Sequence, residues 1–183
     1  MDRTKNLIWV DLEMTGLNPQ NHVILEIATI ITDSQLNEIE QGPELIIHQP
    51  ESALQAMNKE VREMHTKSDL ITAVQNSTTT IQDAEIQTLA FFKKHCDPNT
   101  ALLSGNSVWQ DRNFLFTYMP SLVNFCYYRI LDVTAIKEVV ARWYPDNPHA
   151  EFEKKDTHRA LEDIRESIDE LKHFRKYFFK PNS

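Results

Sequence analysis

Five short apolar runs with the composition of β-strands constrain the fold of this chain through their order. Residues 7–13, 23–32 and 44–48 come first and are typical of a three-stranded meander. Residues 101–105 and 129–133 follow as the fourth and fifth strands, with helical patterns between them. Three neighbouring strands followed by alternating helices and strands predict an α/β domain, with a mixed five-stranded sheet flanked by helices.

Helical periodicity accounts for most of the remaining sequence. Broken apolar stripes predict several short helices between residues 51 and 75. Longer helices are predicted at residues 80–95, 111–118 (ending before Pro120), 135–143 and 160–178. The 183 residues contain no internal repeat or low-complexity segment, so we expect a single domain over residues 1–183.

The two cysteines, Cys96 and Cys126, indicate whether the protein works in a reducing or an oxidising cellular compartment. They lack metal-binding spacing and are too few for a disulfide framework, so we interpret them as core thiols in a reducing compartment. The N-terminus lacks the long apolar region of a signal peptide, and no apolar run approaches membrane-spanning length. These features predict a cytoplasmic protein without a membrane partner.

Two acidic residues, Asp11 and Glu13, lie at the end of the first predicted strand. Side chains alternate between the faces of a strand, so these two point the same way, about 6.5–7 Å apart. Carboxylates in this arrangement can bracket two metal ions that are roughly 3.5–4 Å apart. The ordinary alternative is a pair of solvated residues beyond a strand end.

Three more candidates lie further along the chain. Asp111 follows the fourth strand, although a first-turn acid stabilised by the helix dipole is an ordinary interpretation. Asp163 flanks the apolar stripe of the last helix, where an acid usually faces solvent. Histidine side chains in general have the near-neutral pKa that suits a general base, which makes His158 a candidate, although a surface histidine is the ordinary interpretation.

His158 and Asp163 could not share a site on one regular helix, because five residues rotate by about 500° and leave them roughly 140° apart. They converge if the helix begins at or just after His158, with Asp156 or Thr157 as its cap.

The joint order of these residues resembles the DEDD exonuclease superfamily in its His-containing branch. Five blocks extend the resemblance over nearly the whole chain and are similar to the oligoribonuclease family: residues 9–17, 104–107 with 110–112, 118–120, 131–133 and 163–168. Tyr127 and Trp109 depart from the family pattern. The resemblance implies a ribonuclease H-like fold and 3′-to-5′ hydrolysis of very short RNA, chiefly dinucleotides, to nucleoside 5′-monophosphates.

The resemblance also implies roles for individual residues. Two Mg²⁺ or Mn²⁺ ions would lie among Asp11, Glu13, Asp111 and Asp163, and His158 would take a proton from the attacking water. All-oxygen ligands suit these ions and argue against zinc. The net charge of −8 fits such a site and small substrates, and it argues against a tightly held duplex.

Substrate contacts and assembly follow from the same resemblance. Leu17 would pack on one base, and Tyr128 from the partner of a homodimer would stack on the other. The 5′-phosphate would be capped by three residues that match family positions, namely Ser107, Arg129 and His65. Their ordinary interpretations are, in the same order, a loop hydroxyl, a surface cation and a histidine at a helix end. The homodimer is also indicated by the aromatic residues Phe125, Tyr127 and Tyr128, a cluster that a small domain would leave partly uncovered, although a core role is the ordinary interpretation.

Three other functions use the same residues differently. A DNA proofreading or repair exonuclease would need the same five chemical groups, so the chemistry does not separate it from an RNA enzyme. A nucleotide-binding protein without catalytic activity is disfavoured, because all five candidate catalytic and metal-binding residues are present. An internally cutting ribonuclease H is disfavoured by His158 at this spacing.

Overall fold

The chain folds around one five-stranded mixed sheet, in a computed structural model that describes residues 2–153 and 159–179. The strand order is β3-β2-β1-β4-β5. Strands β1 to β3 are antiparallel, whereas β4 is parallel to β1 and β5 is parallel to β4. The strands are β1 (Leu7–Met14), β2 (Ile24–Thr32), β3 (Glu38–Ile46), β4 (Leu102–Gly105) and β5 (Ile130–Asp132). The predicted mixed sheet is confirmed.

Helices cover both faces of this sheet. Short helices follow β3, and the two longest helices are α4 and α8. The helices are α1 (Glu51–Gln55), α2 (Lys59–Lys67), α3 (Leu70–Asn76), α4 (Ile81–His95), α5 (Val108–Tyr118), α6 (Pro120–Phe125), α7 (Val133–Trp143) and α8 (Ala160–Phe178). Among the described residues, no helix combines the length and apolar character needed to cross a membrane.

The side chains of β1 divide between two apolar cores. Ile8, Val10 and Leu12 join the cluster formed with α4, α5 and α6. Leu7 and Trp9 join the opposite cluster, which α7 and α8 complete. Because side chains alternate along a strand, residues 11 and 13 project towards the face that α8 covers.

The end of β1 extends beyond its parallel neighbour. β4 pairs with β1 only through Leu7–Trp9 and ends at Gly105. At Gly105 a Cβ atom would lie 3.0 Å from the carbonyl oxygen of Val10, so glycine allows the chain to turn closely against β1. The open end of β1 is therefore available to the residues that follow β4.

Several predicted boundaries are wrong. The third strand covers Glu38–Ile46 instead of residues 44–48, because it is an edge strand whose polar side chains gave no apolar signal. Helix α5 begins at Val108 instead of residue 111, and α7 begins at Val133 instead of residue 135. Pro120 begins a further helix, α6, because the first position of a helix needs no backbone N–H group.

The predicted aromatic cluster is only partly uncovered. Phe125 is 7% exposed and belongs to the core, so its prediction as an uncovered side chain is wrong. Tyr128 is 63% exposed, and its ring lies 4.6 Å from that of Tyr127. Cys96 and Cys126 are buried free thiols, which confirms their interpretation as core residues.

Candidate active site

Three of the four predicted metal ligands meet at the end of β1. Asp11, Glu13 and Asp163 each offer a carboxyl oxygen, and these oxygens lie within 4.8 Å of one another. β1 supplies the first two, and α8, which packs against β1 and β2, supplies Asp163 from its first turn. The alternation of the strand and the packing of the helix therefore bring together residues that are 150 positions apart.

Asp111, the fourth predicted ligand, lies beside this cluster and is 5% exposed. Its Oδ1 atom accepts a hydrogen bond of 3.1 Å from the backbone N–H of Leu12, between Asp11 and Glu13. This bond ties α5 to the stretch of β1 that extends past β4. Asp111 is not part of the group of oxygens within 4.8 Å of one another, but it lies near enough to raise the pKa of Asp11 by repulsion.

The clustered carboxyl groups hold their protons unusually tightly. Burial raises the pKa of Glu13 to about 8, with further increases from Asp163, Glu26 and Asp111 and a decrease from Arg159. Burial also raises the pKa of Asp111 to about 8, although its backbone hydrogen bonds act against the increase.

Asp11 shows the same effect. Its pKa is raised well above the usual range, first by burial and then by repulsion from Asp111 and Glu13. Buried groups that repel one another in this way are stabilised by a bound cation. The all-oxygen donor set fits a hard divalent ion.

An ion-pair cluster supports the other side of the site, and the sequence analysis missed it. The Nη2 atom of Arg159 lies 3.0 Å from Glu26 Oε1 and 3.1 Å from Glu44 Oε1. Glu26 is fully buried and pairs directly with Glu13 across β1 and β2. The ion-pair cluster could have been predicted from Glu26, a glutamate within the apolar stretch of β2, because a buried charge needs a partner.

Arg159 also marks the start of α8. It occupies the N-cap position, and its carbonyl oxygen accepts a hydrogen bond of 3.0 Å from the N–H of Asp163. The expectation that the helix begins just after His158 is confirmed, whereas the predicted cap at Asp156 or Thr157 is wrong. His158 itself lies outside the described residues.

His65 lies behind the acidic cluster, on α2. Its ring is fully buried, with Nε2 2.9 Å from the carbonyl oxygen of Met14 and Nδ1 3.8 Å from Glu13 Oε2. The structure therefore places this predicted substrate residue against a predicted metal ligand.

Ser107 lies at the turn between β4 and α5. It has a left-handed backbone conformation, with φ of 50°. Its N–H group donates to Asp132 Oδ1 at 3.0 Å and to Thr134 Oγ1 at 2.9 Å. These bonds hold the turn against the start of α7.

The other predicted substrate residues are exposed. The side chain of Leu17 is 75% exposed, and its carbonyl oxygen accepts a hydrogen bond from Gln110 Nε2. Arg129 donates from Nε to the hydroxyl of Tyr128 at 2.9 Å. Tyr128 and Arg129 thus form one exposed unit next to β5.

Comparison with known proteins identifies close relatives along the whole chain. The RNase_T exonuclease family model matches residues 8–171. An oligoribonuclease from Dichelobacter nodosus is 49% identical over 98% of this chain and 98% of the relative. Oligoribonucleases from Pseudomonas syringae and Pseudomonas aeruginosa PAO1 are each 48% identical, over 99% and 98% of this chain and 100% and 99% of those proteins.

Solved structures agree on the fold. Exonuclease I from Methylocaldum szegediense has a TM-score of 0.67 at 17% identity, with 96% of this chain and 41% of that chain covered. A zinc-bound Escherichia coli exonuclease I complex with single-stranded DNA has a TM-score of 0.68 at 14% identity, with 95% and 41% covered. This chain therefore spans about two fifths of the length of those proteins. The likeness confirms the ribonuclease H-like fold.

Removing one carboxyl group should separate the effect of repulsion from that of metal binding. In metal-free protein we expect Asp11→Asn to melt at a higher temperature than the parent, by about 2–4 °C for each kcal/mol of repulsion removed. The difference should grow as pH rises towards 8, because a carboxyl group with a raised pKa destabilises the folded state once the pH exceeds its ordinary pKa. Added Mn²⁺ should raise the melting temperature of the parent more than that of the variant.

Scanning calorimetry after chelation at pH 6 and pH 8 provides the measurement. Asp169→Asn is the matched control, because it makes the same change at an exposed position of α8. Equal behaviour of the two variants would contradict the electrostatic account of the site.

Proposed function

The chain belongs to the oligoribonuclease family of exonucleases, and on that premise we propose that it is a 3′-to-5′ exoribonuclease that degrades very short RNA. The preferred substrates are dinucleotides, and the products are nucleoside 5′-monophosphates. The meeting of Asp11, Glu13 and Asp163 at the end of β1 is the observation that carries this proposal. A single exonuclease domain over residues 1–183 and a cytoplasmic location stay predictions.

The acidic cluster is the proposed metal site. Asp11, Glu13, Asp111 and Asp163 would hold two divalent cations, Mg²⁺ or Mn²⁺, because hard ions prefer carboxylate oxygens. When bound, such ions lower the pKa of a water molecule and stabilise negative charge on a departing oxygen. The hydrogen bond between Asp111 and Leu12 supports this assignment, because it fixes α5 against β1.

His158 is the proposed general base. It takes a proton from the water that attacks the last phosphodiester, and the bond from phosphorus to the 3′-oxygen breaks. The start of α8 supports the assignment, because the helix has its N-cap at Arg159, the residue after His158 in the sequence, and carries Asp163 in its first turn. The protein's main contribution is then to orient the water, the base and the phosphate.

Replacing His158 by Ala should lower kcat by about 10²–10⁴-fold, the usual contribution of a general base. Metal binding and substrate affinity should change little, because His158 is proposed as a base and not as a ligand. Single-turnover hydrolysis of a labelled dinucleotide, with saturating enzyme and Mn²⁺, measures the loss. His48→Ala is the control, at an exposed histidine. A His158→Ala variant that keeps most of its activity across neutral pH would sink the assignment.

The substrate contacts are proposed from the family resemblance. Leu17 packs on one base and Tyr128 of the partner subunit stacks on the other, each contact contributing roughly 1–3 kcal/mol. Ser107, Arg129 and His65 cap the 5′-phosphate. The exposure of Leu17 and Tyr128 supports the base contacts, whereas the role of His65 rests on the family resemblance, because its ring is fully buried against Met14 and Glu13.

The 5′-phosphate cap predicts that the parent enzyme cleaves two-nucleotide RNA fastest and slows on longer chains. A cap leaves no path for additional nucleotides, so Arg129→Ala should lose most of its preference for the shortest substrate. The measurement is a single-turnover series of 5′-labelled RNA from two to ten nucleotides, with a DNA dinucleotide in parallel. Arg142→Ala, at an exposed position of α7, is the control. Equal rates at all lengths in the parent would exclude the cap and favour a general exonuclease.

A homodimer is also proposed, and exposed apolar side chains on α5 support it. Trp109 and Phe116 are 54% and 65% exposed, and their spacing of seven residues puts them on one face of α5. Trp109 is also one of the two departures from the family pattern. A second copy of this face would cover both side chains and bring the partner's Tyr128 to the site.

Phe116→Glu should convert a dimer into monomers, because a charged group would be buried at the interface. Sedimentation at micromolar concentration should show a dimer for the parent and a monomer for the variant. Ile86→Glu is the control, since Ile86 on α4 is similarly exposed at 66%. Dinucleotide hydrolysis should fall only in Phe116→Glu, because monomers lack the partner's Tyr128. A parent that sediments only as a monomer would remove the dimer proposal.

A further inference from the structure

A second acidic side chain of α8, Glu170, is fully buried and lies outside the acidic cluster. Its Oε2 atom accepts a hydrogen bond of 2.9 Å from Asn106 Nδ2. Its Oε1 atom lies 3.9 Å from Lys137 Nζ, on α7. A buried carboxyl group is costly unless its partners are held in place, so these contacts fix where Asn106 lies.

Asn106 uses both ends of its side-chain amide. Nδ2 donates a second hydrogen bond to Ser167 Oγ on α8, at 2.9 Å. Oδ1 accepts one from Thr134 Oγ1 near the start of α7, at 3.1 Å. The residue directly before Ser107 is therefore bound to two helices through its side chain.

The same bonds extend to Ser107 at one end and to Asp163 at the other. Thr134 Oγ1, which donates to Asn106, accepts from the N–H of Ser107 at 2.9 Å. Ser167 Oγ, which accepts from Asn106, donates to the carbonyl oxygen of Asp163 at 2.8 Å. A continuous set of hydrogen bonds thus joins a proposed metal ligand to a proposed phosphate contact.

We infer that Glu170 and Asn106 are positioning residues that fix the Ser107 turn relative to Asp163, and so set the distance between the cleavage site and the 5′-phosphate site. The inference rests on the proposed function, in which Ser107 contacts the 5′-phosphate. The left-handed conformation of Ser107 is relevant because a non-glycine residue keeps it only when its surroundings hold it there. A distance fixed in this way selects substrates whose terminal phosphate lies one nucleotide from the bond that is cut.

A purely structural role for Glu170 makes a different prediction. Loss of a purely structural contact lowers the stability of the protein and changes kcat/KM by the same factor for every substrate. Loss of a positioning contact acts on binding of the terminal phosphate and spares a substrate without that phosphate. The ratio of kcat/KM for a 5′-phosphorylated dinucleotide to that for the same dinucleotide with a 5′-hydroxyl separates these cases.

The test compares Glu170→Met with Glu170→Gln, which keeps an oxygen that can accept from Asn106. Glu170→Met should raise KM for the phosphorylated dinucleotide by roughly tenfold, the scale of a lost hydrogen bond in a buried network, and lower the ratio by a similar factor. KM for the 5′-hydroxyl substrate and kcat at saturation should change little. Glu170→Gln should retain most of the ratio. Glu162→Met, at an exposed position of α8, should retain all of it.

Two results would overturn the inference in distinguishable ways. A folded Glu170→Met enzyme with the parent ratio would overturn the positioning role alone. A parent enzyme without preference for the 5′-phosphate would overturn the proposed phosphate cap and the positioning role together. If Glu170→Met does not fold, Lys137→Met serves instead, because Lys137 is half-exposed and approaches Glu170 Oε1. For Lys137→Met, the ratio of kcat/KM between the 5′-phosphorylated and the 5′-hydroxyl dinucleotide should also fall. An unchanged ratio would overturn the inference.

Discussion

The burial of carboxyl groups close together at the end of β1 is the constraint on which the rest of the site depends. Burial raises the pKa of Glu13 and of Asp111 to about 8 each, so the site opposes the charged forms that metal binding requires. Folding brings these groups together because the apolar residues of β1 and α8 pack on both sides of them. A divalent cation offsets the repulsion, which links the chemistry of the site to the stability of the fold.

Polar contacts around the cluster hold Asp111 and the start of α8 in place. Asp111 is held by the backbone of Leu12, and the start of α8 is held where Arg159 meets Glu26. The more distant pair of Asn106 and Glu170 joins α8 to the turn at Ser107. The proposed metal site and the proposed substrate site therefore share one supporting helix, so a shift of α8 would affect both.

Much of this arrangement could be predicted from the sequence because it follows from simple periodicity. Asp11 and Glu13 share a face of β1 by the two-residue repeat of strands, and the late start of α8 follows from the angle between His158 and Asp163. Other features depend on contacts between distant residues. The edge strand β3 lacks an apolar pattern, and the ion pairs of Arg159 join segments more than 110 residues apart. The burial of Phe125 likewise depends on α6, which periodicity did not reveal.

Counting bound ions tests the central claim most directly. Equilibrium dialysis of the metal-free protein against Mn²⁺ should give two ions per chain for the parent and fewer for Asp163→Asn, with Asp169→Asn unchanged as the matched control on α8. Tighter binding at pH 8 than at pH 6 should accompany this result, because the ligands must lose their protons. A parent that binds no Mn²⁺, or an Asp163→Asn variant that binds it as well as the parent does, would contradict the account.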